Sequence, residues 1–161
     1  MRVFLKYWLP VLIWLGVIFF GSTEMMSAEQ TSRFLLPFLR WLKPDISPET
    51  FTQIHFLVRK LAHVGEYAIL ALLLWRAVRS SPALHMKLSM LFGAVLLACA
   101  LFAASDEFHQ SFVKSRTPSV RDVILDIVGA LIGLLIGVSS AHRHPKKTSS
   151  TARSQFVDAR L

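Results

Sequence analysis

Several ionisable side chains lie at the ends of apolar runs, where a membrane-crossing segment normally excludes them. Lys60, His63 and Glu66 open one such run, and Asp106 and Glu107 follow another. A charged side chain at membrane depth is unfavourable by about 3 kcal/mol, so it persists mainly where it is partnered and used. Because histidine titrates near neutral pH and carboxylates orient it or exchange protons, these residues would serve acid–base chemistry.

The spacing in the first of these runs places its polar residues on one helical face. Lys60, His63 and Tyr67 follow an i, i+3, i+7 pattern, and Glu66 comes three residues after His63. One interpretation makes His63 a general base that is oriented by Glu66. The alternative is a buried, hydrogen-bonded pair without a catalytic duty.

Metal ligation is another chemistry open to these residue types. His63 with Glu66, and Asp106 with His109, offer nitrogen and oxygen ligands that zinc accepts. However, His-x-x-Glu alone is a weak signal, and the chain contains no His-Glu-x-x-His pattern. We therefore predict no metal site and no other cofactor.

Four apolar runs supply the helices that must position these residues. They cover residues 4–20, 60–75 with an N-terminal extension over 54–58, 88–104 and 120–138. Each is close to the ~20 residues that cross a ~30 Å hydrocarbon core. Hydrophobic residues make up 53% of the chain and the mean hydropathy is +0.50, which is too apolar for an ordinary soluble domain. The predicted fold class is therefore all-α, a four-helix transmembrane bundle.

A shorter amphipathic segment lies between the first two spans. The stretch over residues 34–42 is too short to cross a membrane and too apolar for a solvated loop, so we expect a helix at the interface. The segment over residues 141–161 places basic residues among Ser and Thr, which is typical of a disordered tail. The chain thus divides into a transmembrane domain over residues 1–140 and a basic tail.

The distribution of basic residues predicts the orientation in the membrane. An even number of spans puts both termini on one side, and ten of the 18 lysines and arginines would lie there. The positive-inside rule then places both termini in the cytoplasm of a cell-membrane protein. The net charge of +8 sits mainly beside apolar runs and in the tail, which fits topology and anionic lipid rather than nucleic acid. The polar ends of the second, third and fourth spans would all face outward.

The last apolar run carries a polar and small-residue stripe on one face, formed by Asp122, Asp126, Gly129, Gly133 and Gly137. Such a stripe of glycines lets another helix approach closely. We expect the two aspartates to point into the bundle toward Lys60, Arg116 or Arg121. They would either fix helix register by ion pairing or take part in a site.

Three motifs in this order resemble those of the VanZ-like membrane proteins, and the resemblance covers residues 7–137. The motifs are Arg59-Lys60-x-x-His63-x-x-Glu66-Tyr67, then Ser105-Asp106-Glu107-x-x-Gln110-x-Phe112-x-x-x-Arg116, then Asp122-x-x-x-Asp126-x-x-Gly129-x-x-x-Gly133. The phrase Phe19-Phe20-Gly21-Ser22 also resembles the end of the family's first span. Two departures are Ser115, where the family often has glycine before the arginine, and Asp126, where many relatives carry asparagine.

The resemblance implies a role in the cell envelope, since the family takes its name from a protein linked to low-level resistance to the glycopeptide teicoplanin. The bilayer is the expected partner, together with an anionic lipid or cell-wall precursor headgroup that Lys60, Arg116 and Arg121 would bind through its phosphate. The candidates for acid–base work are His63, Glu66, Asp106 and Glu107. The candidates for substrate binding are Lys60, Tyr67, Gln110, Arg116, Arg121, Asp122 and Asp126. The alternatives are a small transporter or proton relay, and a non-catalytic membrane scaffold.

Overall fold

The fold is all-α, as predicted, in a computed structural model that describes residues 2–81, 84, 86–113 and 118–143. Five α-helices follow one another: α1 (Arg2–Gly21), α2 (Ala28–Leu42), α3 (Pro48–Arg79), α4 (Leu88–Gln110) and α5 (Val120–Arg143). A single 3-10 turn at Glu24–Met26 joins α1 to α2, and no strand occurs within the described ranges. All of these helices except α2 are long and apolar enough to cross a membrane.

The short helix α2 corresponds to the predicted interfacial helix but begins earlier than its apolar pattern indicates. The Ser27 side chain caps it by accepting a hydrogen bond from the Gln30 backbone N–H at 3.4 Å. None of its 15 residues is buried, and Phe34 and Trp41 are 81% and 78% exposed. An apolar face of this kind, on a helix too short to span, suits the membrane interface.

Helix α3 starts well before the predicted second span. Ser47 caps it by accepting from the Thr50 backbone N–H at 3.2 Å, and Pro48 occupies the first helical turn, where its missing N–H is harmless. Residues 48–53, which precede the predicted extension of the second span over 54–58, are therefore helical. With 32 residues, α3 is about 48 Å long and exceeds the ~30 Å hydrocarbon core.

The parallel pair α3 and α5 forms the centre of the bundle, and the predicted glycine stripe lies in their seam. A Cβ at Gly129 would lie 2.9 Å from Val64 Cα, and one at Gly133 would lie 2.9 Å from the Ala68 carbonyl carbon. Further along, a Cβ at Gly137 would meet the Trp75 ring at 3.0 Å. Gly129 and Gly133 thus permit a backbone-to-backbone approach that any side chain would prevent, and Gly137 leaves room for the Trp75 ring.

Helices α1 and α4 pack beside this central pair. Two tryptophans take part in this packing. Trp14 of α1 donates a hydrogen bond to the Glu66 backbone carbonyl at 2.9 Å, and Trp75 is buried against Gly137. Helix α5 continues to Arg143, three residues past the predicted domain end, and the tail beyond it lies outside the described residues.

Candidate functional site

One end of the bundle, here called the polar end, collects the ionisable residues that the sequence singled out. It is the end at which α1 and α4 finish and α5 begins, near Gly21, Gln110 and Val120. Hydrogen bonds there join α1 to α4 and α3 to α5. The predicted convergence of polar helix ends is therefore confirmed.

Two contacts tie the first turns of α5 to its neighbours. Lys60 Nζ donates to Asp122 Oδ1, so this lysine pairs with the aspartate that we expected it to face. The Ser119 backbone N–H donates to Glu107 Oε2 at 2.7 Å. Lys60 is engaged in this pair and does not line the cavity described below.

His63 is paired with a carboxylate from another helix. Its Nδ1 donates to Asp126 Oδ1 at 3.0 Å, whereas we expected Glu66 to orient the ring. Asp126 is 0% exposed, and its Oδ2 has no hydrogen-bond partner among the described residues. With Nδ1 held in this way, His63 keeps Nε2 available as an acceptor or a ligand.

Asp106 is the centre of another set of hydrogen-bonded side chains, where the end of α1 meets the end of α4. Its Oδ1 accepts from the Ser22 hydroxyl, and its Oδ2 accepts from Gln110 Nε2 at 2.9 Å. Ser22 is buried and was not among the predicted site residues. The only signal for it was its place in the Phe19–Ser22 phrase that resembles the family, because nothing in the composition of α1 marks it.

A cavity of about 470 Å³ lies beneath α2 at the polar end. Its apolar wall comes mainly from α2 and the first turns of α3 and includes Phe34, Leu35, Phe38 and Val58. Its polar side includes Arg59, His63, Glu66, Asp106 and Gln110. Thr31 of α2 and His55 of α3, which also line the cavity, lie 2.9 Å apart through Oγ1 and Nε2. The cavity size falls in the range of small-molecule binding sites.

The other predicted binding residues lie elsewhere or outside the described residues. Tyr67 is buried in the core below the cavity, and its hydroxyl has no partner within the described part of the chain. Arg121 is exposed and does not line the cavity. Arg116 falls in the segment 114–117, outside the described residues. Arg59 belongs to the first motif but was not among the predicted binding residues, and it lines the cavity.

The polar end also contains side chains that suit a metal ion. His63, Glu107 and Asp122 each offer one donor atom, and these atoms lie within 4.8 Å of one another. The other pair of ligand types that the sequence offers has different contacts in the structure: Asp106 bonds Ser22 and Gln110, and the His109 ring packs against Phe19 at 4.8 Å.

Neither the curated proteins nor the solved structures give a significant match to this chain. A family model described as VanZ/LLP1 matches residues 7–140, which include all five helices apart from the ends of α1 and α5. The matched region contains the cavity and the polar contacts of Lys60, His63 and Asp106. The chain's four helices able to cross a membrane make it a multi-pass membrane protein. Because the family model covers most of its length, the chain belongs to the VanZ/LLP1 family.

Proposed function

We propose that the protein binds a phosphate-containing amphiphile of the cell envelope in the cavity beneath α2. The observation that carries the proposal is the two-sided lining, apolar toward α2 and polar toward α3 and α4. A phospholipid and a lipid-linked cell-wall precursor share the required chemistry, because both join a polar phosphate headgroup to long apolar chains.

The apolar wall is suited to the chains of such a molecule. Phe34 and Phe38 line the cavity and are also largely exposed on the surface of α2, so the wall is continuous with the outer apolar surface. A bound chain would leave the cavity along this surface and enter the bilayer. Burial of its methylenes would contribute about 0.8 kcal/mol each.

The polar side is suited to a headgroup that carries both a phosphate and hydrogen-bond donors. Arg59 forms no salt bridge with any described residue, and its guanidinium would bind phosphate oxygens in the bidentate geometry that arginine favours. Glu66 and Asp106 lie on the same cavity and would accept from hydroxyl or ammonium groups of the ligand. We therefore assign phosphate binding to Arg59 rather than to Lys60, which the sequence suggested for this role.

The transporter alternative is less well supported by the packing. Inward from Tyr67, the core along the central helices consists of Leu70, Ala71, Leu74 and Leu134, all buried. A proton or ion path needs polar groups or water along its length. Among the described residues, polar groups of this kind lie at the polar end, and the middle of the bundle is apolar.

The binding proposal predicts that lipid copurifies with the protein and depends on Arg59 and Glu66. After purification in a mild detergent, mass spectrometry of extracted lipid should find a stoichiometric phosphate-containing amphiphile, and its mass will separate a phospholipid from a precursor. We expect Arg59→Gln and Glu66→Gln to lose most of it. In glycopeptide-sensitive cells, the unsubstituted protein should raise tolerance to teicoplanin and Glu66→Gln should not.

A matched control is Arg33→Gln, which removes an arginine at an exposed position of α2. Arg33 pairs with Glu29 on the surface at 3.5 Å and does not line the cavity. Its lipid content should equal that of the unsubstituted protein. Equal lipid content in Arg59→Gln and Arg33→Gln, with both proteins folded, would contradict the cavity as the binding site.

We propose further that the polar end faces out of the cytoplasm, with both termini inside. In a Cys99→Ala background, a cysteine at the exposed Ser111 should react with an impermeant thiol reagent in intact cells. A cysteine at Leu84, 44% exposed and in the loop at the opposite end, should react only after permeabilisation. The reverse labelling pattern would invert the orientation.

A further inference from the structure

Three helices place buried side chains of metal-ligand type side by side at the polar end. His63 of α3, Glu107 of α4 and Asp122 of α5 are only 8%, 6% and 8% exposed. Their donor atoms lie within 4.8 Å of one another. Ligands held at roughly 2.0–2.2 Å from one ion are at most about twice that distance apart, so a small side-chain adjustment would enclose an ion.

Each of the three residues has one donor atom engaged with the protein and another left over. Glu107 Oε2 accepts from the Ser119 N–H, whereas its Oε1 is buried without a partner among the described residues. Asp122 Oδ1 accepts from Lys60, which leaves Oδ2. His63 Nδ1 is held by Asp126, which leaves Nε2. A buried carboxylate oxygen without a partner is unfavourable, and a bound cation would satisfy this one.

The charge of the described groups in this cluster also calls for a cation. Glu107, Asp122 and Asp126 contribute three carboxylates, and Lys60 contributes one ammonium. With His63 neutral and the carboxylates ionised, two negative charges stay unbalanced in a largely buried region. Because unbalanced buried charge is strongly unfavourable, a divalent cation would complete the cluster.

We propose that His63 Nε2, Glu107 Oε1 and Asp122 Oδ2 bind a divalent transition-metal ion such as Zn²⁺. One nitrogen and two oxygen donors suit zinc, whereas calcium and magnesium take oxygen ligands alone. Asp126 acts as a positioning residue, since a carboxylate on the far ring nitrogen fixes the tautomer and orientation of a ligating histidine. Three protein ligands leave a coordination position open, as in catalytic zinc sites.

The position of this site beside the cavity gives the open coordination position a possible occupant. His63 lines the cavity and also belongs to the metal cluster. A phosphate oxygen of the bound headgroup would therefore be the ligand expected at the open position. This last step rests on the proposed function, whereas binding of the metal itself does not.

The test uses Zn²⁺ alone and the full-length protein in detergent. After chelator treatment and its removal, calorimetric titration with ZnCl₂ should show one site per chain. We expect His63→Gln and Glu107→Gln to weaken the affinity by more than about 100-fold, and Asp126→Leu by about 10- to 100-fold. His109→Gln, which removes a histidine of α4 that packs on Phe19, should bind as the unsubstituted protein does.

A second measurement needs no variant at all. One equivalent of Co²⁺ should give visible ligand-field absorption without a thiolate charge-transfer band. One equivalent of Zn²⁺ should then displace the Co²⁺ and abolish this absorption. Absence of saturable binding in the unsubstituted protein, or equal affinity in His63→Gln and His109→Gln, would overturn the metal site whatever lipid copurifies. Stoichiometric binding that depends on His63 supports it even if no lipid is found, so the two proposals fail separately.

Discussion

Replacing Gly129 with alanine is expected to lower the free energy of unfolding by about 1–3 kcal/mol, and Gly133→Ala by a similar amount. The added Cβ at either position would overlap the α3 backbone, 2.9 Å from Val64 Cα or from the Ala68 carbonyl carbon. Because backbone atoms cannot rotate away, α3 and α5 must separate. Separation would also pull apart His63 from Asp126 and weaken the site.

The control for this prediction is Gly93→Ala on α4. A Cβ there meets nothing within 4 Å, and alanine has the higher helix propensity. Thermal unfolding in detergent should therefore give Gly93→Ala a midpoint at or above that of the unsubstituted protein, and Gly129→Ala a clearly lower one. Equal midpoints for the two variants would show that the close helix approach does not matter for stability.

Removal of the Asp126 carboxylate should have the second large effect. Asp126→Leu deletes the acceptor of a completely buried hydrogen bond and leaves His63 Nδ1 without its partner. Leaving a buried donor without its acceptor in this way lowers the free energy of unfolding by about 1–3 kcal/mol. Asp126→Asn keeps an oxygen acceptor of the same shape and should lower it by about 1 kcal/mol or less.

A double-mutant cycle separates this pair from general packing loss. Unfolding free energies of His63→Leu, Asp126→Leu and the double variant should give a coupling energy of about 0.5–3 kcal/mol, with the double variant less damaged than the sum of the single changes. A coupling energy near zero would mean that the hydrogen bond between the two side chains does not stabilise the fold.

The sequence alone determined the number and type of the spanning elements and the end of the bundle that carries the polar residues. Apolar runs of membrane-crossing length leave helices as the natural choice, and chain connectivity then forces the polar ends of the last three spans to one level. The spacing of Gly129, Gly133 and Gly137 likewise predicted a close helix contact, because residues four apart share a helix face. These are properties of short segments and of connectivity.

The early start of α3 was also present in the sequence, although the apolar pattern concealed it. The Ser47–Pro48 pair is a helix-start signal, but residues 48–53 mix polar and apolar types and did not extend the hydrophobic run beyond the predicted extension over 54–58. The α3 residues that line the cavity, including His55, Val58 and Arg59, lie in or beside the predicted extension over 54–58.

Only the tertiary structure decided which side chains meet. Spacing within α3 favoured Glu66 as the partner of His63, since an i, i+3 neighbour is always within reach, but the observed partner is Asp126 of α5. That choice depends on the rotation and depth of α5 against α3, which packing at Gly129 sets at the level of Val64. Ser22 against Asp106 and the group formed by His63, Glu107 and Asp122 arise in the same way, from contacts between helices that no local pattern encodes.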